Sequence, residues 1–398
     1  MVRDGIMPPS LLEPPAVIAF SVCCALGPTT SQTVDAYLSG RSGLAPPRFE
    51  LPFTTAVGAV EGELDALPPS LASYDTRAAR VVMRLADECD GAIRAAVRRW
   101  GPDRVGVVLG TSSGGLDATE AALATHRRTG ALPVGYDLHR GHAFGATVEL
   151  LAKRFGHRGA GYVVSTACSS SGKVFASAQR LLRADVLDAV LVGGVETLCQ
   201  TTLRGFHGLG ILSQRGCRPF AVDRDGTSLG EGGALFLLER EGTARARLLG
   251  VGESLDGYQM SAPHPEGLGA RESMVRALAR ARIEPGDVGF VLAHGTGTPQ
   301  NDAVECRAID HVFGTAVPVA STKAMTGHAL GAAGAIGAAL AMITLEHGWL
   351  PPSLGADPPD PALRVDIVRA GRTSHPSVVL SNSFGFGGSN VSVLLGAA

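Results

Sequence analysis

Cys168 stands in the stretch STACSSSGK, where a short β-branched run gives way to a small-residue helical pattern. That order predicts a thiol at the first turn of a helix. Unpaired backbone N–H groups and the positive helix end would lower its pKa there and favour thiolate. The same amides could hold a developing oxyanion. Such a construction suits a nucleophile that accepts acyl groups. A buried structural cysteine among serines that cap the helix fits these residues equally well.

Two histidines follow strands of their own. His294, in LAHGTGTPQNDAVE, leaves an apolar run into a Gly/Thr turn, and ligands bind at such strand ends in open α/β sheets. Asp302 and Glu305 read as a capping box for the helix that follows. His328 and Lys323 share the stretch STKAMTGHAL after another strand. One histidine beside one cysteine would suggest a hydrolase-like pair. Two neutral imidazoles can instead donate hydrogen bonds to one carbonyl oxygen as it becomes an enolate, which decarboxylation of a malonyl thioester requires. Lys323 could orient the second ring or favour its neutral form. Near the C-terminus, SNSFGFGGSN sets Phe384 and Phe386 among Gly385, Gly387 and Gly388, residues that allow close backbone approach. A glycine-rich turn with two core aromatics is the plainer reading.

The elements that must hold these residues alternate, as in an α/β protein. The pattern predicts strands at 16–20, 105–109, 162–165, 189–193, 234–238, 248–254, 288–293, 317–321, 377–382 and 391–395. Helices are expected at 31–38, 76–100, 113–126, 145–155, 168–183, 271–282, 302–312 and 331–347. Each half of the chain runs a strand into a Gly- or Ser-rich turn and a small-residue helix, a faint internal repeat. The segment 324–345 has no charged residue and the length of a membrane span. Its many Ala and Gly residues, with Lys323 and His328 at its start, point instead to a core helix carrying a catalytic residue at its tip.

Composition narrows the class. The 398 residues are 45% hydrophobic and 18% charged, enough for one large core or two fused ones. Thirty-five basic against thirty-seven acidic residues is not the balance of a nucleic-acid or membrane-surface binder. Seven cysteines without a C-x-x-C pair suggest neither disulfides nor a metal site. Residues 1–14 read as a Pro-rich tail rather than a signal sequence, on a cytoplasmic protein.

Taken together and in order, TACSSS, HGTGTP, STKAMTGH and NSFGFGGSN resemble the β-ketoacyl-acyl carrier protein synthases of the thiolase superfamily. GCRPFAVDRDGTSLGEGGALFLLE at 216–239 adds to the resemblance. It implies an α/β, thiolase-like five-layer α-β-α-β-α fold of two similar halves, 15–244 with the nucleophile and 245–398 with the two histidines, and a dimer. By motif, Cys168 is the acylated nucleophile, while His294 and His328 promote decarboxylation. Lys323 supports the second histidine and Glu305 takes the acidic position beside the site. The Cys168 and Phe386 amides would form the oxyanion hole, with Phe386 as a gating aromatic. Ser113, Phe384, Gly385 and Gly387 fall in the substrate pocket. No cofactor is implied, since substrates ride on the phosphopantetheine of an acyl carrier protein. Arg77, Arg80, Arg84, Arg215 and Arg218 are candidate docking residues for that acidic partner.

Lys173, where fatty-acid elongation synthases usually have His, and the small Ser113 look more like aryl polyene and related highly reducing type II polyketide synthases. Fatty-acid elongation is the alternative enzyme reading. A non-catalytic, chain-length-factor-like subunit is the other, disfavoured by the presence of Cys168. A heterodimer with such a subunit stays open beside a homodimer.

Overall fold

The computed structural model describes residues 13–398; the N-terminal tail falls outside them but for Glu13 and Pro14. Apolar runs with buried faces form two sets of strands. The first comprises β1 (Ala16–Cys23), β2 (Val105–Gly110), β3 (Gly161–Val164), β4 (Ala189–Glu196) and β5 (Gly232–Glu239). The second comprises β6 (Ala246–Leu255), β7 (Phe290–Leu292), β8 (Pro318–Ala320), the two-residue β9 (Asp366–Ile367), β10 (Val378–Gly385) and β11 (Ser389–Ala397). The first set pairs in the order β3-β2-β4-β5-β1, and the second in the order β8-β7-β10-β11-β6, with β9 at its outer edge. In both sets the first three strands of that order pair parallel, and the last two join them through antiparallel pairs. Strand for strand the two orders coincide, so the faint repeat in the sequence is a repeat of topology.

Among the described residues, only Ala16 with Arg247 and Val17 with Ala246 pair across the join. Beyond it the two half-sheets face each other across a shared helical layer. Helices α1 (Arg77–Glu88), α2 (Asp90–Trp100) and α3 (Ala146–Phe155) cover the outer face of the first. Between the sheets lie α4 (Ser170–Arg183) and, from the second half, a helix of matching position. Helices α5 (Leu268–Ala281) and α6 (Pro299–Phe313) cover the outer face of the second sheet, and the inner helix of that half is α7 (Ala333–His347). This is the five-layer α-β-α-β-α order expected.

The predicted helix 76–100 is two helices, α1 and α2, parted at Cys89. A helix at Gln200–Gly208 was not anticipated. The apolar segment resolves as a core element: in the window Leu330–His347, of mean hydropathy 1.4, 78% is buried inside the protein. Its small residues permit close crossing. A Cβ on Gly334 would collide with the Gly172 amide of α4. One residue along, the Ala335 N–H donates to Ser171 Oγ at 2.9 Å.

Candidate active site

The two inner helices bring one functional turn from each half to the same place. Cys168 lies in the turn between β3 and α4, ahead of the helix rather than in its first turn. Ala167 before it is in the left-handed region, with φ 52°. The serines do not cap α4, as expected of them, but pin this turn. Ser170 Oγ accepts from Thr166 N–H at 2.9 Å and donates to Ala167 O at 2.6 Å, and Ser169 Oγ donates to Thr166 O at 2.7 Å. The end of β10 presses on the same turn: a Cβ on Gly385 would come within 3.2 Å of the Cys168 nitrogen.

His328 follows β8 at the equivalent point of the second half. It sits in the loop between the short helix Lys323–Thr326 and the turn at Leu330–Ala332 that leads into α7, not within α7 itself. Its backbone is clamped: His328 N–H donates to Ser228 O at 2.7 Å, and Gly230 N–H donates to His328 O at 2.9 Å. The result is a contact of 3.0 Å between His328 Nε2 and Cys168 Sγ. The His294 ring stands edge-on to His328, their centroids 5.1 Å apart at 83°. The Phe384 ring packs against His294 at a tilt of 52°, centroid to centroid 5.9 Å.

The electrostatics correct one expectation. Burial pushes the Cys168 thiol up to about 12 rather than down. Lys323, and the N–H groups of Phe386 and of Cys168 itself, pull against burial without overcoming it. Loss of solvation outweighs the Lys323 charge and two amides when the residue is only 5% exposed. Burial, and next the Lys323 charge, also hold His294 and His328 well below the usual imidazole value. Both rings are therefore neutral near pH 7. Burial lowers the Lys323 ammonium, while the Glu305 carboxylate opposes that change.

Asp302 and Glu305 are not a capping box. Helix α6 begins at Pro299, and Thr298 is its N-cap, accepting from Asn301 N–H. Both acids lie inside the helix with carboxylates turned to the preceding loop. Glu305 accepts from His294 N–H and Gly295 N–H at 2.7 Å each and from Asn382 Nδ2 at 3.2 Å. It thus fixes the His294 backbone rather than touching either ring. Asp302 does the same for Phe220 N–H at 2.9 Å and Gly297 N–H at 3.1 Å.

Two cavities meet at the sulfur. One, of about 270 Å³, is lined by both histidines and by polar groups including Thr296, Thr298, Asn301 and Asn390. The other, of about 360 Å³, is lined by Ser113, Leu116, Phe144 and Leu330. Cys168, Phe206 and Phe386 border both. The last two rings stack at 5.7 Å and 18°, so an aromatic pair forms the partition. Phe384 and Gly385 line the first cavity; Gly387, with φ 77°, turns the chain just beyond without lining it.

Sequence reasoning missed Phe206, whose helix carries no distinctive pattern, and Glu196. Buried Glu196 ends β4 and accepts from Thr111 Oγ1, from N–H and Oγ of both Ser112 and Ser113, and from Gly331 N–H. A carboxylate closing the apolar run AVLVGGVE was the available signal. The five arginines proposed for docking are all engaged within the chain: Arg77 with Glu231, Arg80 with Asp75, Arg84 with Asp65, and Arg215 and Arg218 with Asp223.

Family models match the chain over most of its length: the β-ketoacyl synthase N-terminal domain at residues 13–244 and the β-ketoacyl synthase C-terminal domain at 245–357. A 3-oxoacyl-[acyl-carrier-protein] synthase 2 of Coxiella burnetii is 31% identical over 95% of this chain and 97% of its own. One from Rhizobium meliloti is 34% identical over 73% of each. Among solved structures, the ketosynthase ApeO in complex with its chain length factor ApeC, from Xenorhabdus doucetiae, superimposes with a TM-score of 0.93. It is 35% identical over 97% of this chain and 98% of that one. The ishigamide ketosynthase/chain length factor superimposes with a TM-score of 0.88 at 26% identity, over 97% and 100%.

Proposed function

The chain belongs to the β-ketoacyl synthase family, and from that membership we propose that it extends a carrier-bound acyl chain by two carbons through an acyl-Cys168 intermediate. The observation that carries this reading is the 3.0 Å contact of Cys168 Sγ with His328 Nε2, with a second neutral imidazole beside it where two cavities meet. The cavity lined by both histidines suits a phosphopantetheine arm and its malonyl group, and the other suits the growing chain.

In the first half-reaction Cys168 Sγ attacks the acyl thioester carbonyl. The N–H groups of Cys168 and Phe386 stabilise the oxyanion. The thiol proton passes by way of His328 to the departing phosphopantetheine sulfur. In the second, the bond between the malonyl methylene and its carboxylate breaks and carbon dioxide leaves. The electron pair becomes an enolate held by hydrogen bonds from His294 and His328. Its carbon attacks the acyl-Cys168 carbonyl and expels Sγ, which takes up a proton from solvent because burial disfavours the thiolate. Burial, with the Lys323 charge, keeps both rings neutral, Glu305 positions His294, and the Phe206–Phe386 pair separates the two substrates. No resident cofactor takes part.

C168A should lose the acyl adduct, read by intact-mass spectrometry, and condensation with it; condensation at the wild-type rate would overturn the assignment. H294A and H328A should slow malonyl decarboxylation by roughly 10²-fold or more. Loss of acylation with decarboxylation intact would contradict their roles. The substrate reading is a polyene-type chain, supported by Ser113 on the acyl-side cavity and by the ketosynthase of 35% identity. Saturated and polyenoyl starters on carrier protein separate it from fatty-acid elongation. Two relatives of known structure are paired with a chain length factor, and we assign this chain the same kind of partner, or a second copy, in the cytoplasm.

A further inference from the structure

The acyl-side cavity is bordered by a polar side chain that the condensation leaves without a task. His142 lines it beside Leu116 and Phe144. Its Nδ1 lies 2.7 Å from Thr119 Oγ1, which lies 2.7 Å from the Tyr136 hydroxyl. Among the described residues, Nε2 has no hydrogen-bond partner. The position is built into the backbone: Gly115 N–H donates to His142 O at 3.1 Å, and His142 N–H donates to Leu138 O at 3.0 Å. A Cβ on Gly115 would collide with the Gly141 carbonyl, and one on Gly114 would meet the Phe144 ring at 2.6 Å. The glycine pair is what lets the segment 141–144 lie against this turn.

The three-membered chain leaves two arrangements. If Tyr136 donates to Thr119 and Thr119 to Nδ1, then Nε2 carries the proton and is a free donor. If Nδ1 of the neutral ring donates to Thr119, Nε2 is a free acceptor. In either case an imidazole facing only hydrocarbon would give up water and gain no partner. A hydroxyl answers both arrangements, since it donates and accepts.

We propose that His142 is a specificity-determining residue that recognises a hydroxyl carried on the distal part of the acyl chain. This rests on the acyl-enzyme reading above. Acylation of Cys168 in the full-length protein, with its partner subunit where it has one, is followed by intact mass. The substrates are two length series of acyl thioesters, one ending in methyl and one in hydroxyl, with phenol-ended chains as a third arm. At the matching length the hydroxyl end raises kcat/KM roughly 3- to 10-fold, the span of one neutral hydrogen bond. H142L brings the hydroxyl-to-methyl ratio to one, H142Q restores part of it, and T119V, which frees Nδ1, lowers it. Equal kcat/KM for the series at every length, or a ratio unchanged in H142L, overturns the proposal and leaves the acyl-enzyme reading standing. If no thioester acylates Cys168, the acyl-enzyme reading falls and this one with it.

Discussion

Burial sets the terms for Cys168. A sulfur pushed up to about 12 is a thiol at neutral pH, so it needs a proton acceptor in contact, and His328 Nε2 is 3.0 Å away. H328A should therefore slow alkylation of Cys168 by iodoacetamide at pH 7 by roughly 10²-fold. An unchanged rate would remove His328 from thiol activation. Glu305 offers a separate test because burial raises its carboxyl from 4.5 to about 7. Between those values the folded chain keeps a proton that the unfolded chain has lost, so this contribution to stability falls as pH rises. Relative to E305Q, the wild type should gain up to about 3 kcal/mol on going from pH 7.5 to 4.5, read from urea unfolding. A pH-independent difference would mean a carboxylate charged throughout. The residues bearing chemistry were legible because each motif combined a reactive side chain with a strand end. What burial does to them was not, because the thiol's solvation depends on neighbours brought in by β10 and α7. Glu305 shows the same limit. Its spacing from Asp302 suits a cap, and only the fold turns it toward His294.

At the scale of elements, the site depends on how closely α4 and α7 approach. Gly334 and Gly172 face each other with no room for a side chain, and the turns bearing Cys168 and His328 enter these two helices. G334V should destabilise the protein by about 1–3 kcal/mol by overpacking. It should also lower acylation more than global unfolding explains, since it moves the two turns apart. A variant with wild-type kcat/KM would show that the crossing does not set the geometry. The run of Ala and Gly in α7 was readable as a packing surface, since small side chains let another helix approach closely. Its partner was not readable, because nothing in local sequence pairs Gly334 with Gly172. The helix Gln200–Gly208 was hidden for a related reason. It presents Leu203 to the interior, and its Phe206 finds its role only against Phe386.

The molecule as a whole is two copies of one strand order, with Cys168 following β3 in the first and His328 following β8 in the second. The alternation of strands and helices made the class legible, and the similar strand–turn–helix runs hinted at the doubling. The pairing of half-sheets through only two residue pairs was beyond local pattern. Neither half holds both the sulfur and the imidazoles. Chains cut between residues 244 and 245 should each lack acylation, and mixing them should restore it with a concentration dependence that the intact chain does not show; acylation by the first fragment alone would contradict the shared site. The peptide bond at that join thus acts as a tether. It turns a meeting of two bodies into an event within one, and it guarantees one nucleophile for every pair of bases at any dilution.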